Sequence, residues 1–441
     1  MCLRGEAKPR PETQAQASML GIFCGLPLLG YALMNSVSYV AARSIALWVT
    51  TLVSLCSIGL WWSYDASGLG LGLRSASWLL LLGTILFPLC VLCVNDRRAL
   101  GSVLLLEVLV NGSVLCMDAM IFYILFEATT VPLLVLITRG AVWHRVGSTS
   151  GSYQAPLRHK SSAAYRMISY TMLGSLLLLP MLLLIYQEQG TMRLTFLWAS
   201  GVGSSFASEL LLWVGFMVVF GIKMPMVPAH LWLPEAHVAA PTAGSVLLSG
   251  VFLKLGGFGF VFMSLPLCGA AHVYASPAIA TLAFLGVVYG SMATLRQVDL
   301  KKMVAYSSIV HMSMLPLMLF SSSEFSITGA MWMMVAHGLV SPAMFVIVGH
   351  LFDRHNTEFL AYVASSGALL PVWRTLFFIL TLANVAMPLF PDFIAEFFVL
   401  MSLFAVHPWH SFVVCSILVL PTAYGFWAYA RVTFPGVRIA R

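Results

Sequence analysis

The chain has 441 residues, of which 60% are apolar and only 9% charged, with a formal net charge of +7. A soluble protein carries about 25% charged residues, so 23 Lys and Arg with 16 Asp and Glu cannot clothe a water-soluble fold of this size. That composition excludes a soluble enzyme, a nucleic-acid-binding domain and a disordered chain, and the net charge is no nucleic-acid footprint, because the basic residues fall in short loops rather than on one face.

A span needs about 20 apolar residues. Residues 1–17 mix Arg4, Lys8 and Arg10 with Glu6 and Glu12, and the apolar run 19–34 lacks a small-residue cleavage site, so it reads as a retained first span. Further apolar segments follow at 43–62, 78–94, 99–116, 117–138, 166–187, 207–224, 242–265, 275–293, 301–321, 326–351, 371–405 and 410–431, making thirteen. The twelfth is too long for one straight span and contains prolines. In lipid the backbone must satisfy its own hydrogen bonds, so these segments are helices. A barrel would show alternating strands of about ten residues instead. The fold class expected is an all-α polytopic membrane protein with about 13 transmembrane helices. Its organisation is an N-terminal three-helix segment 1–98, a five-helix repeat 99–265, an inverted repeat 266–431 and a short tail 432–441.

Basic residues follow the odd-numbered spans: Arg97 and Arg98; Arg139, Arg145, Arg158, Lys160 and Arg166; Arg296, Lys301 and Lys302; Arg354 and Arg374; Arg431, Arg438 and Arg441. Arg74 and Arg193 are the exceptions. The positive-inside rule puts these loops and the C-terminus on the cytoplasmic or matrix side.

Two segments share the pattern M-P-x-x-P: Met224 to Pro228, just after Lys223, and Met387 to Pro391, just before Glu396. Proline removes a backbone donor and clashes with the preceding turn, so spans seven and twelve are expected to break at Pro225/Pro228 and Pro388/Pro391. Five spans separate them, and an odd offset turns the second copy upside down. Paired broken helices in inverted halves mark an ion or substrate site; two coincidental kinks are the alternative.

Ionisable residues sit where lipid-facing spans would carry leucine. Glu107 lies in span four, Glu127 in span five, Lys223 at the first break, Lys254 in span eight, His311 in span ten, His337 in span eleven and Glu396 after the second break. Each lysine or acid at a helix centre costs about 2.5–3.5 kcal/mol on insertion scales. Internal salt bridges that fix helix packing are one explanation, and a proton or ion path is the other; the number at similar depth favours the path. A carboxylate beside a buried lysine holds its ammonium form, and separating the two releases the proton. Histidine relays near neutral pH, although a satisfied core histidine is the commoner role for His337. No G-x-G-x-x-G after a strand, G-x-S-x-G or P-loop is present.

His230, Glu235 and His237 are spaced unusually for metal ligands and read better as a polar lining of the broken helix. Asp392 and Glu235 are expected near the aqueous ends. Asp118 is expected to cap span five. Cys90 and Cys93 form a C-x-x-C inside an apolar run; small core residues are a better reading than a redox or metal site.

The run from Gly221 to Pro225, Pro228 to His237, Ala240-Pro241-Thr242 and Leu253 to Gly259 resembles the signature of the antiporter-like membrane subunits of NADH:quinone oxidoreductase, respiratory complex I. Lys301 to Ile309 with His311-Met312, His337-Gly338-Leu339 and Pro391 to Phe397 resemble further blocks, so that the likeness covers about residues 100–430. Glu396 resembles the subunit-4 branch, because sister subunits 2 and 5 typically carry lysine there. The family usually has fourteen core spans, one more than the segments counted here.

The resemblance implies a proton-translocating membrane-arm subunit of an enzyme complex, without a redox centre, cofactor or metal of its own. It implies a Glu127–Lys223 pair whose separation gates the proton, transfer along Lys254 and His311, and delivery by Glu396. Glu107, coupling to a neighbouring subunit, and His337 are weaker relay candidates. Implied partners are the other membrane-arm subunits, including sister antiporter-like chains, and lipids such as cardiolipin, with protons as the transported ion and no nucleic acid. The implied location is the mitochondrial inner membrane, with a bacterial plasma membrane as the alternative. The rival reading is a subunit of a multi-subunit sodium/proton antiporter.

Overall fold

The computed structural model describes residues 11–34, 36–65, 71–94, 96–139, 157–203, 205–321, 325–355, 357, 359–363, 370–406 and 408–434, with the side chains of 11–20, 59–77, 139 and 157–160 left undescribed. The basic loop expected after span five falls largely at 140–156, outside these residues, as do Arg4, Lys8, Arg10, Arg438 and Arg441.

Among the described residues the chain is helical, with two isolated bridges, Asp118 to Arg193 and Asp299 to Phe359, and no sheet. The first helices are α1 Pro11–Met34, α2 Tyr39–Asp65, α3 Leu71–Cys93, α4 Arg97–Leu115, α5 Ala119–Ala128 and α6 Thr130–Arg139. Next come α7 Leu157–Leu176, α8 Leu178–Gln189, α9 Leu194–Ser200, α10 Phe206–Lys223 and α11 Trp232–Ala239. The continuous helix α12 spans Thr242–Leu267. It is followed by α13 Gly269–Arg296, α14 Leu300–Leu319, α15 Ser326–His355 and α16 Leu360–Val363. The last four are α17 Pro371–Asn384, α18 Pro391–Val406, α19 Pro408–Ile417 and α20 Val419–Thr433.

Nine helical stretches among the described residues are long and apolar enough to cross a membrane, with shorter apolar helices at Gly21–Met34 and Trp78–Cys93. The thirteen segments of the sequence therefore do not all appear as full-length spans. The long segment 371–405 is two helices, α17 and α18, and the short helices α9 and α11 lie where no span is predicted. Asp118 caps α5 as expected, accepting from the backbone N–H of Met120 at 2.9 Å and of Ile121 at 3.1 Å.

Burial sorts the helices. The apolar window of α12 is wholly enclosed, whereas Tyr39–Ile58 and Pro408–Thr433 expose most of theirs. Trp48, Leu55, Leu173, Trp409 and Phe412 stand outward as a greasy exterior, which suits acyl chains and not water. With little hydrophobic drive between helices in lipid, close packing depends on small residues. Gly256 shows this: a Cβ there would lie 3.0 Å from both the Met224 amide nitrogen and the Phe220 carbonyl, so α12 rests directly on the end of α10.

Both M-P-x-x-P segments interrupt helices. α10 stops at Lys223 and α11 starts at Trp232; α17 stops at Asn384 and α18 starts at Pro391. At the second break Ala386 and Leu389 adopt φ of 55° and 89°, a left-handed conformation that costs non-glycine residues roughly 1–3 kcal/mol each.

Candidate functional site

The breaks and α12 bring the buried charges together. α12 carries two π turns, Leu248–Phe252 and Phe260–Ser264, on either side of Lys254. A π turn misaligns carbonyls from the regular ladder and is frequent at functional sites. Here the Lys254 ammonium donates to the Ser249 carbonyl inside the first π turn. Nothing in the residue types of 248–264 announces these turns, so the sequence reading missed them.

Lys254 is completely enclosed. Its Nζ lies 2.7 Å from His337 Nδ1 on α15. The His337 ring stands 5.5 Å, centroid to centroid, from that of His311 on α14. His311 Nδ1 is 3.4 Å from Glu396 Oε1 on α18. Four residues from four helices thus form a buried line of neighbours, Lys254–His337–His311–Glu396, joined in turn by a hydrogen bond, a ring–ring approach and an ion-pair distance. His337, a weaker candidate on the sequence, is one of its two inner members. Both nitrogens of His311 and Nε2 of His337 have no hydrogen-bond partner, His311 Nδ1 standing only within ion-pair distance of Glu396. Buried polar groups are normally paired, and an imidazole with an unengaged nitrogen has room to take up a proton there.

Lys223 and Glu127 are arranged differently. Lys223 is buried and donates to the Phe126 carbonyl at 2.7 Å and to Thr129 Oγ1 at 3.4 Å. Its ammonium also lies 3.4 Å from the centroid of the Phe126 ring and 4.7 Å from that of Phe252, within the range of cation–π attraction. Glu127 precedes Ala128 and lines a groove with Tyr123, Ile124, Thr130, Val131 and Met172. Both its carboxylate oxygens are without a hydrogen-bond partner. The expected pair is therefore not in contact: the lysine is held by the residue before Glu127 and by a threonine after it. α5 places Phe126 and Glu127 on different sides because successive helical residues diverge. Phe252 belongs to α12, so the same ring that flanks Lys223 sits two residues before Lys254.

Glu107 is buried on α4, which packs on α1, α3 and α5, and its Oε2 has no partner. It is not part of the line.

Two expectations are corrected. Asp392 does not lie at an aqueous end: it is fully buried, and both its carboxylate oxygens are unpartnered. Its position one residue into α18 follows from the break at 385–390, which carries the helix start inward. Lys301, counted among loop charges, is buried in the first turn of α14 and donates to the Ala240 carbonyl at 2.6 Å. By contrast Glu235 is at the surface, 2.6 Å from Arg166. His237 is fully buried and stacks on Phe345 at 4.3 Å, and His230 packs on Tyr289 at 5.0 Å. Cys90 and Cys93 are both free, and Cys90 faces the Ala243 carbonyl of α12.

A family profile described as NADH:quinone oxidoreductase/Mrp antiporter, transmembrane, matches residues 116–421, a stretch that includes Glu127, both breaks and the whole buried line. The chain belongs to this family. Among curated relatives, NADH-ubiquinone oxidoreductase chain 4 of Chlamydomonas reinhardtii is 44% identical over 421 residues, 92% of this chain and 88% of the relative. The protein of the same name from Chondrus crispus is 35% identical, over 94% of this chain and 86% of the relative. Among solved structures, a chain of respiratory complex I from Thermus thermophilus with bound NADH superposes with a TM-score of 0.79 at 23% identity, covering 95% of this chain and 89% of that one. A chain of the Mrp complex from a Dietzia species gives 0.81 at 17% identity, covering 96% and 80%. These two share the fold. Membership of the antiporter family and the long apolar helices make this a membrane protein.

Proposed function

We propose that this chain is a proton-translocating membrane-arm subunit, of the subunit-4 type, of an NADH:ubiquinone oxidoreductase in a mitochondrial inner membrane. The observation that carries the reading is the buried line Lys254–His337–His311–Glu396. Four titratable groups enclosed in apolar helices are expensive, and simple packing does not need them in sequence. The relatives of 35–44% identity named NADH-ubiquinone oxidoreductase chain 4 support the assignment to this complex.

In this reading Glu127 and Lys223 form the gate. When Glu127 swings away from its groove toward Lys223, it holds the ammonium; when it withdraws, the lysine releases its proton toward α12. Lys254 passes a proton to His337 Nδ1, His337 and His311 relay it, and Glu396 delivers it to the exit side. Glu107 couples the chain to a neighbouring subunit. The two broken helices are corresponding members of inverted repeats at 99–265 and 266–431. The partners are the sister membrane-arm subunits and surrounding lipids. The redox chemistry takes place elsewhere in the complex, and its energy reaches this chain as displaced charge.

The test uses the whole complex in sealed vesicles. Lys254→Met and Lys223→Met, each assembled to normal size on a native gel, are expected to lower the protons pumped per NADH several-fold. Unchanged pumping in both would refute the relay. Mild-detergent purification decides the partner complex: NADH-oxidising activity should accompany the chain, and sodium/proton exchange without it would transfer the chain to the antiporter class.

A further inference from the structure

We propose that Asp392 is a second proton carrier at the delivery end of the relay, so that the terminal station is a carboxyl pair, Asp392 with Glu396, and not Glu396 alone. This inference deepens the proposed function and rests on it.

Asp392 and Glu396 lie four residues apart on α18, which puts them on one helix face with Cβ atoms about 5–6 Å apart. Both are buried, Asp392 completely. Glu396 has His311 within ion-pair distance, but neither oxygen of Asp392 has a hydrogen-bond partner. A structural carboxylate in an apolar core would be paired, because an isolated buried charge costs several kcal/mol. An unpaired acid at zero exposure is best explained by a group that spends part of its time protonated.

The groups that face it are few. His311 on α14, Glu396 on its own helix and Lys254 on α12 interact with it electrostatically. Tyr424 on α20 lies within the same field. His337 on α15 stands next to Lys254 and His311. From the adjoining α19, His410 is set against Phe284 of α13 instead. Two basic groups, two acids and a bridging imidazole therefore share one enclosed site. Two carboxylates in such a site favour holding one proton between them, as interacting acids do when they titrate as a pair. The step balances simply: once the two side chains close to hydrogen-bond distance, an imidazolium N–H of His311 gives its proton to an Asp392 oxygen, leaving a neutral imidazole and a neutral carboxylic acid. The acid then loses that proton to the Glu396 carboxylate or to the exit side.

The position of Asp392 adds a reason for two acids. It sits in the first turn of α18, directly after the strained break at Ala386 and Leu389. The exposed positive end of a helix dipole favours a carboxylate there. A shift of the break alters that field, and it does so at Asp392 more than at Glu396, because the effect fades within a turn. The pair can then hand a proton from one member to the other as the break moves.

The experiment compares Asp392→Asn, Asp392→Glu and Glu396→Gln in the complete complex, with assembly checked on native gels. Asp392→Asn keeps size and polarity but removes the exchangeable acid. The expected result is a several-fold fall in protons pumped per NADH with an altered pH profile, and recovery of both by Asp392→Glu. A normal yield and pH profile in Asp392→Asn, with Glu396→Gln impaired, overturns the pair and leaves the relay standing. Normal pumping in Glu396→Gln and Lys254→Met as well overturns the relay itself. Should Asp392→Asn fail to assemble, modification of the native complex with an apolar carbodiimide, which attacks protonated buried carboxyls, decides the matter. Labelling of Asp392 supports the proposal, and a peptide that stays unlabelled while other buried acids react overturns it.

Discussion

The two broken helices hold their charges in opposite ways. At the first break Lys223 is tied to a carbonyl, a threonine and two aromatic rings, and its acid Glu127 stands apart in a groove. At the second break Glu396 is within ion-pair distance of His311, and neighbouring rings lead on through His337 to Lys254. The difference is between a contact that must be made and one that is already made. A separated pair can be opened and closed by moving one side chain, whereas the members of a packed line are neighbours without rearrangement of helices. The first region has the geometry of a switch and the second that of a wire, and Gly256 presses the two together by letting α12 lie on the end of α10.

The sharpest way to break this contrast is to cut the wire in the middle. His337→Phe keeps an aromatic ring but removes the nitrogen that meets Lys254. It is expected to reduce NADH-driven pumping by about tenfold or more, equivalent to about 1.4 kcal/mol on the limiting barrier, as read from the initial rate of vesicle acidification. Phe126→Leu attacks the switch. The Phe126 carbonyl remains, but the ring face over the ammonium goes. The ammonium keeps the Phe126 carbonyl, Thr129 and the Phe252 ring, so the loss should be well below the ~2 kcal/mol of a full desolvated cation–π contact, and pumping should fall only a few-fold, less than in His337→Phe. If the order is reversed, the two regions have been assigned the wrong characters. Arg166→Ala sets the lower bound. The Arg166–Glu235 pair is well exposed, at 57% and 38% of the two side chains. An exposed ion pair contributes about 0–1 kcal/mol, so thermal stability of the complex and pumping should both stay near the unaltered values. A large loss there would show that the surface pair is part of the path.

Much of the site was visible as chemistry out of place. Lys223, Lys254, His311 and Glu396 stood out because each is costly in an apolar helix, and all four prove to be buried or nearly so. The prolines marked both breaks, because a missing N–H and a steric clash act locally and need no tertiary information. Three features stayed hidden. His337 looked like an ordinary core histidine, because its value as a bridge depends on how far α12 and α14 lie from α15. Asp392 looked like a residue at an aqueous end, because its burial depends on where the break carries the start of α18. The π turns around Lys254 arise from packing of a helix enclosed on all sides, and no residue type encodes them.

The amino-acid sequence by itself determined that this is a helical membrane protein, where its helices break and which ionisable groups stand at a cost inside apolar helices. These are matters of local backbone chemistry and of transfer from water to lipid, each decided within a turn or two of chain. Only the tertiary structure decided which of those groups touch. The approach of Lys254, His337, His311 and Glu396 joins four separate helices, and ångström distances between side chains on different helices are set by how the whole bundle packs.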